Sequence, residues 1–455
     1  MKTLAEIKDP QAIESGVFPG PAKGTAPLWA AGKNVIFREG AVEKMPGWEK
    51  LFSLSATPSA VVQAFADGAQ RAYAGNAVGL WKWEAGVLEQ ILTMPSGLHW
   101  SLQVWGNQLL AVDEETSGVW WWGNSGQAGI APGSPSKASI IRAFNVHLMA
   151  FQRDGEPNRI SWCSAGNPGL WTPALDNSAG GLNIRNISSP IRAAGMMGQY
   201  MAVYSADQMY LVQYVGGQIV FGYTEALAGI GAAGKNCLVP VGREHYGCER
   251  RGFWRTDGAS SIFISEPALW TAVKDRINWD RGDDIYGIHN RELSLAEWYY
   301  PTVDGGFEGV AYNYSKGIWM PRDFRVNGGQ SGTVFPGPIA AINEDVVVMN
   351  QGKNAGELPL AANIQTKPLA LGTEQFWKYI DDICCAFEGN PDLEIGLQSE
   401  LYEEVEWLPL QALTRHVGPE RETVFLTLRF SSSALDAWWR VNQIAIDGEL
   451  AGEVI

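Results

Sequence analysis

Between Val61 and Asn350 the chain repeats one local pattern: a short run carrying tryptophan or tyrosine, closed by glycine, asparagine or aspartate. Trp81-Lys-Trp83, Trp100 with Trp105, Trp120-Trp121-Trp122, Trp254, Trp270, Trp298-Tyr-Tyr300 and Trp319 all belong to such runs. An aromatic ring fits a pleated, half-buried surface, and Gly or Asn tolerates the positive φ that a tight hairpin needs. The pattern therefore predicts a long series of antiparallel hairpins, a scaffold before it is an enzyme. With 455 residues and 46% hydrophobic content the chain is long enough for two or three domains. Its 52 glycines and 24 prolines are too dispersed for a low-complexity polymer and match an all-β fold rich in turns.

The runs are spaced. Clusters begin near Val61, Ser101, Ile141, Pro190, Asn236, Tyr286 and Thr333, at intervals of 40 to 50 residues, and a four-stranded propeller blade needs about 40–50. Four strands fit each interval, as in Ile191–Met196, Tyr200–Ser205, Met209–Val215 and Gln218–Tyr223. The expected fold class is all-β: a six- or seven-bladed β-propeller followed by a small C-terminal β-sandwich. The segment Val35–Leu51, a hairpin turning at Arg38–Gly40, is a candidate for the strand that closes the ring and removes its exposed edges. Two stacked β-sandwiches are the alternative architecture. The expected divisions are an N-terminal arm (1–28), the propeller (29–350), a linker (351–366) and an acidic β-sandwich (367–455). Few stretches read as helices; the candidates are Pro10–Ser15 and Thr373–Tyr379.

The net charge is −15, and ten of those excess negative charges fall between Lys367 and Ile455. Such a chain does not hold nucleic acid by neutralising phosphates, which needs clustered Lys and Arg. The opening residues lack the apolar core of a signal peptide, and no apolar run approaches the ~20 residues that span a bilayer, so synthesis in the cytoplasm and a soluble product are expected. Five cysteines (Cys163, Cys237, Cys248, Cys384 and Cys385) are an odd number, and reduced thiols are the expectation.

Few residues suggest chemistry. Cys237, His245 and Cys248 supply three metal-ligand types, but structural zinc takes four with paired spacing, so a buried core is the better reading. The pairs Asp283-Asp284 and Asp381-Asp382 raise glycosidase chemistry, yet neighbours on a strand face opposite ways, and solvated turns explain them. Gly229-Ile-Gly231-Ala-Ala-Gly234 spells a dinucleotide-binding glycine pattern without the strand and helix that pattern requires, and reads as a loop between blades. No nucleophile elbow or phosphate loop is present. The expectation is no enzymatic activity, no cofactor and no metal.

Three stretches together resemble a family of bacteriophage virion proteins of the neck and tail hub of short-tailed phages. Asn34-Val-Ile-Phe-Arg-Glu-Gly-Ala-Val-Glu-Lys-Met-Pro-Gly-Trp48 is similar to that family's opening element. Arg159-Ile-Ser-Trp-Cys-Ser-Ala-Gly-Asn-Pro-Gly-Leu-Trp-Thr-Pro173 is similar to its R-I-x-W-S-x-x-G-[DN]-P-x-x-W element, with Cys163 in place of serine. The third stretch is 191–231, with its Tyr-Val-Gly-Gly turn and Gly-Ile-Gly close. The resemblance implies a structural ring of the head-to-tail connector, or nozzle, below the portal. It would be a hexamer that contacts portal, adaptor and tail proteins of the same virion. The genome would pass through it without specific binding. In that reading Trp48, Trp162, Asn167, Pro168, Trp171, Gly229 and Gly231 are structural, and Glu400, Glu403, Glu404 and Glu406 line a lumen or an interface. A glycan-binding or glycan-cleaving propeller is the competing function, and a cellular protein-interaction propeller a third.

Overall fold

A computed structural model of the protein describes residues 2–19, 28–94, 99–113, 115, 118–153, 155–217, 219–372, 374–401 and 403–453, apart from the side chains of 152, 153 and 453. Seven inner strands begin at Ala60, Ser101, Ile140, Ala193, Val239, Tyr286 and Gly328, within five residues of the starts that the spacing predicts. Six of them open four-stranded antiparallel sheets in unbroken chain order, blades 1 to 6, spanning 60–93, 101–130, 140–183, 193–228, 239–263 and 286–322. Short turns join the strands; Asp67 (φ 51°) and Gly68 (φ 81°) form one where both residues need the left-handed region. Between blades the strands bury alternating apolar side chains, so that each blade shares a core with its neighbours.

Blade 7 is composite. Gly328–Gln330, Ile339–Ile342 and Asp345–Met349 supply three strands, and the fourth is Trp48–Ser53, paired antiparallel with Asp345–Met349. The ring is thus closed by a strand from the other end of the chain: the end of the expected segment Val35–Leu51, from Trp48 on, does the closing, while its hairpin Val35–Lys44 joins the second body. Gln63 of blade 1 holds the seam. Its backbone N–H donates to Gln330 Oε1 (2.7 Å) and its Nε2 to the Gln330 carbonyl (2.9 Å). Its Oε1 accepts from the Val334 and Phe335 amides at 3.2 and 3.3 Å.

The second body is a sandwich of two sheets drawn from both termini. One sheet centres on the long pair Phe376–Gly389 and Trp439–Glu453, with Lys2–Ile7 and the hairpin Val35–Arg38/Ala41–Lys44 on the latter and His416–Val417 and Arg421–Thr423 on the former. The other runs Trp29–Lys33, Ala362–Thr366, Phe425–Ser432, Asp392–Gln398 and Glu406–Trp407, with Gln411–Ala412 also on Asp392–Gln398. Trp29, Ile364, Ile383, Phe430, Trp439 and Ile446 fill its core, which continues without a break into Tyr299, Met320 and Val347 of blades 6 and 7.

This pairing revises the expected boundaries. Residues 2–7 and 29–44 belong to the sandwich, not to a free arm or to the propeller, and the supposed linker holds a core sandwich strand at Ala362–Thr366. The expected helix at Thr373–Tyr379 is replaced by the start of the strand Phe376–Gly389, with Thr373 itself outside the described residues. Helix Pro10–Ile13 is present, capped by Asp9. A helix at Pro267–Val273 and a 3-10 segment at Trp279–Asp284 stand where no helix was expected. No helix among the described residues is long and apolar enough to cross a membrane.

Candidate functional site

The seven inner strands surround a central cavity of about 780 Å³. Its charged lining residues are Arg142, Lys235 and Arg291, with His289 beside them, and no Asp or Glu lines it among the described residues. Arg142 lies in the apolar run Ile140–Phe144 of blade 3, where the pleat turns its side chain to the axis. Its Nε donates to the Ala194 carbonyl of blade 4 (3.0 Å), and its Nη1 to Ser101 Oγ of blade 2 (2.9 Å) and to the Ile141 carbonyl (2.8 Å). Burial pulls the guanidinium's pKa down, against a smaller opposite pull from Tyr286 of blade 6. The Tyr286 hydroxyl donates to the Gly329 carbonyl at 2.7 Å. Lys235 Nζ donates to the His99 carbonyl at 2.6 Å. Burial, and then Arg291, push His289 below the usual imidazole range.

A smaller cavity of about 120 Å³ shares Asn236 and Tyr286 with the first and is lined also by His99, Asp283, Asp284, Arg325 and Asn327. Asp283 accepts the Lys235 amide at 3.2 Å, while Asp284 is committed to Arg281 at 2.7 Å, with His99 Nδ1 3.9 Å away. The Arg325 guanidinium lies 3.6 Å from the centre of the Phe307 ring. Arg325 Nε and Asn327 Nδ2 are buried donors without a hydrogen-bond partner.

The residues singled out from the sequence occupy other places. Trp162 and Trp171 bracket the turn at Gly166-Asn-Pro168 and face opposite neighbours. Trp162 packs edge-on against Phe221 of blade 4 (ring centres 5.0 Å apart) and donates its indole N–H to the Ser178 carbonyl (2.9 Å). Trp171 enters the core shared with blade 2 and donates to the Pro168 carbonyl (2.8 Å). Asn167 Oδ1 accepts the Gly169 amide at 3.0 Å and so shapes the turn. Gly180 pairs across from Trp162, and a Cβ there would collide with the indole. Gly229 and Gly231 lie in the loop joining blades 4 and 5. Gly229 has φ 85°, and a Cβ on Gly231 would strike the Ala206 carbonyl. Trp48 opens the closing strand and packs 4.8 Å from Phe324, ring centre to ring centre.

His245 is a buried core residue. Its Nε2 lies 2.7 Å from the Met196 carbonyl, which can only accept, so Nε2 carries the proton and Nδ1 accepts from the Tyr204 hydroxyl (2.9 Å). Burial lowers its pKa to about 4. Cys237 donates to the Cys248 carbonyl at 3.8 Å, and both thiols are buried. No group of three or more His, Cys, Asp and Glu side chains among the described residues is placed to hold a metal. Asp381 and Asp382 lie in the strand Phe376–Gly389 rather than in a turn, beside a register shift, with Asp382 2.6 Å from His416 Nδ1. Glu400, Glu403, Glu404 and Glu406 are all exposed, the first three in the connection from Asp392–Gln398 and Glu406 at the start of the edge strand Glu406–Trp407. The sequence reading passed over Gln63 and Arg142. A lone cation in the otherwise apolar stretch 140–144 was the available signal for the second.

No protein-family model matches the chain, and no curated protein does. Among solved structures it is similar to a fungal alcohol oxidase of the AA5 family in complex with copper, at 8% identity over 88% of this chain and 93% of that one, with a TM-score of 0.41. It is also similar to a WD40 domain from Neurospora crassa (10% identity, 70% and 98% covered, TM-score 0.40). A third is an exo-beta-1,3-galactanase from Phanerochaete chrysosporium (7% identity, 89% and 100% covered, TM-score 0.31). Likenesses this distant carry no activity across to this chain.

Proposed function

We propose that the protein is a structural subunit of the head-to-tail connector or tail hub of a short-tailed bacteriophage, one of six copies in a closed ring through which the genome leaves. One observation carries the reading: the stretches that resemble that virion family are the ones that lock the framework together. Residues 34–48 run from the sandwich hairpin into the strand that closes the propeller, and 159–173 weld blade 3 to both neighbours. A ring component needs that rigidity, together with surfaces for identical neighbours in a heterologous, closing contact. The net charge of −15 suits a conduit that must not hold DNA. The exposed Glu400, Glu403, Glu404 and Glu406 would face the lumen or a basic surface of an adjoining ring.

Mass photometry and negative-stain imaging of the purified chain should give closed six-fold rings, and duplex DNA should not bind even at low salt. Changing Glu403, Glu404 and Glu406 to Lys should leave melting unaltered, since exposed charges contribute little to stability, while impairing ring assembly or docking. A stable monomer that binds oligosaccharides on a glycan array would overturn the reading in favour of receptor recognition.

A further inference from the structure

We infer that the central cavity of the propeller binds a small organic oxyanion, a molecule bearing a phosphate or carboxylate group, on the Arg142 guanidinium. The chain carries 49 acidic residues against 34 basic ones, yet the described lining of this cavity holds Arg142, Lys235 and Arg291 and no carboxylate. Arg142 has no ion-pair partner among the described residues. Arginine does not lose its proton, and even a half-buried charge is held at some cost when no counter-charge faces it. A propeller that needed only a stitch between blades 2, 3 and 4 would be served by a neutral amide.

The guanidinium is instead held in one orientation. Nε and Nη1 bond to Ala194, Ser101 and Ile141, and Nη2 has no hydrogen-bond partner among the described residues. Two N–H donors, both on Nη2, are thus left for a ligand in the cavity, and a charged donor pair held in a fixed orientation matches an oxyanion. At about 780 Å³ the cavity is far larger than a bare ion needs and lies within the roughly 300–1,000 Å³ of small-molecule sites. Apolar walls such as Leu102 and Ile288 alternate with Gln103 and the Tyr286 ring, so an organic body as well as its charge is accommodated. Arg325 and Asn327, which line the adjoining small cavity, each also carry a buried donor without a hydrogen-bond partner. The inference is independent of the connector reading, because the cavity lies on each propeller's own axis.

Calorimetric titration of the full chain with glucose 6-phosphate, glucuronate, inorganic phosphate and glucose, at matched ionic strength, tests it. Saturable binding by one or more of the anions and none by glucose is expected; the phosphate and sugar-acid arms tell which oxyanion is preferred. R142Q should weaken that binding by about ten-fold or more, as loss of a charged hydrogen-bonding partner does. R291E, at an exposed residue with no described ion pair, should weaken it without disturbing the fold, and serves if R142Q does not fold. No saturable binding by any of the three anions, or affinity unchanged in whichever of these variants folds, would overturn the proposal.

Discussion

Trp162 shows how a single residue in this fold does two jobs. Its ring fills the space between blades 3 and 4, and its N–H bonds the Ser178 carbonyl. The same device recurs where Trp100 donates to the Asn76 carbonyl (2.9 Å), Trp254 to Gly231 (2.8 Å) and Trp298 to Cys237 (2.9 Å). Trp162→Ala should therefore cost ~3–5 kcal/mol through lost burial and the cavity left behind, read as a lower denaturation midpoint. His245 sets a pH dependence. Its folded pKa of about 4 lies below the ordinary imidazole value of 6.5, so the unfolded chain takes up the proton first. The stability it protects is complete above pH 6.5 and is lost as pH falls toward 4, by about 3 kcal/mol in total. In His245→Phe the slope of stability against pH across that window should flatten by close to one proton; an unchanged slope would rule the mechanism out. The tryptophans were legible in the sequence because a ring in a short strand has few places to go. Arg142 was not, since nothing local separates a cation facing an axis from one facing solvent.

At the level of elements, the blades could be read because each is local: four strands joined by short turns leave their period in the chain. The closing strand could be narrowed to Val35–Leu51 but not placed within it in the same way. Trp48–Ser53 pairs with Asp345–Met349, and hydrophobic alternation says that a strand has a buried face without saying which sheet covers it. The strands after residue 367 were likewise recognisable one by one, whereas Lys2–Ile7, which pairs with the last of them, lies more than 400 residues away, and Ala362–Thr366, the partner of Trp29–Lys33, read as linker. The seam concentrates this non-local pairing, and Gln63 is its polar clasp. Gln63→Ala would strand the Val334 and Phe335 amides and cost about 2 kcal/mol. Amide hydrogen exchange should show the loss of protection confined to 334–335 and the facing strand of blade 1.

For the molecule as a whole, the interleaving makes two bodies into one unit. Residues 367–455 lack Trp29–Lys33, Ala362–Thr366 and the Val35–Lys44 hairpin, so a fragment of these residues alone leaves the Phe425–Ser432 and Trp439–Glu453 edges bare. It should be unfolded by circular dichroism and recover structure only when residues 1–366 are supplied. A folded, monomeric fragment would contradict that dependence.

The borrowed strand of blade 7 also sets a schedule. Trp48–Ser53 leaves the ribosome about 290 residues before its partner Asp345–Met349, which at about 5–20 residues per second is a wait of roughly 15–60 s. Throughout that time blades can form but the ring cannot close, and a strand with bare edges and the unburied rings of Trp48 and Phe52 stays open to wrong partners. Yield of this protein should accordingly depend on elongation rate and on chaperones that shield nascent chains.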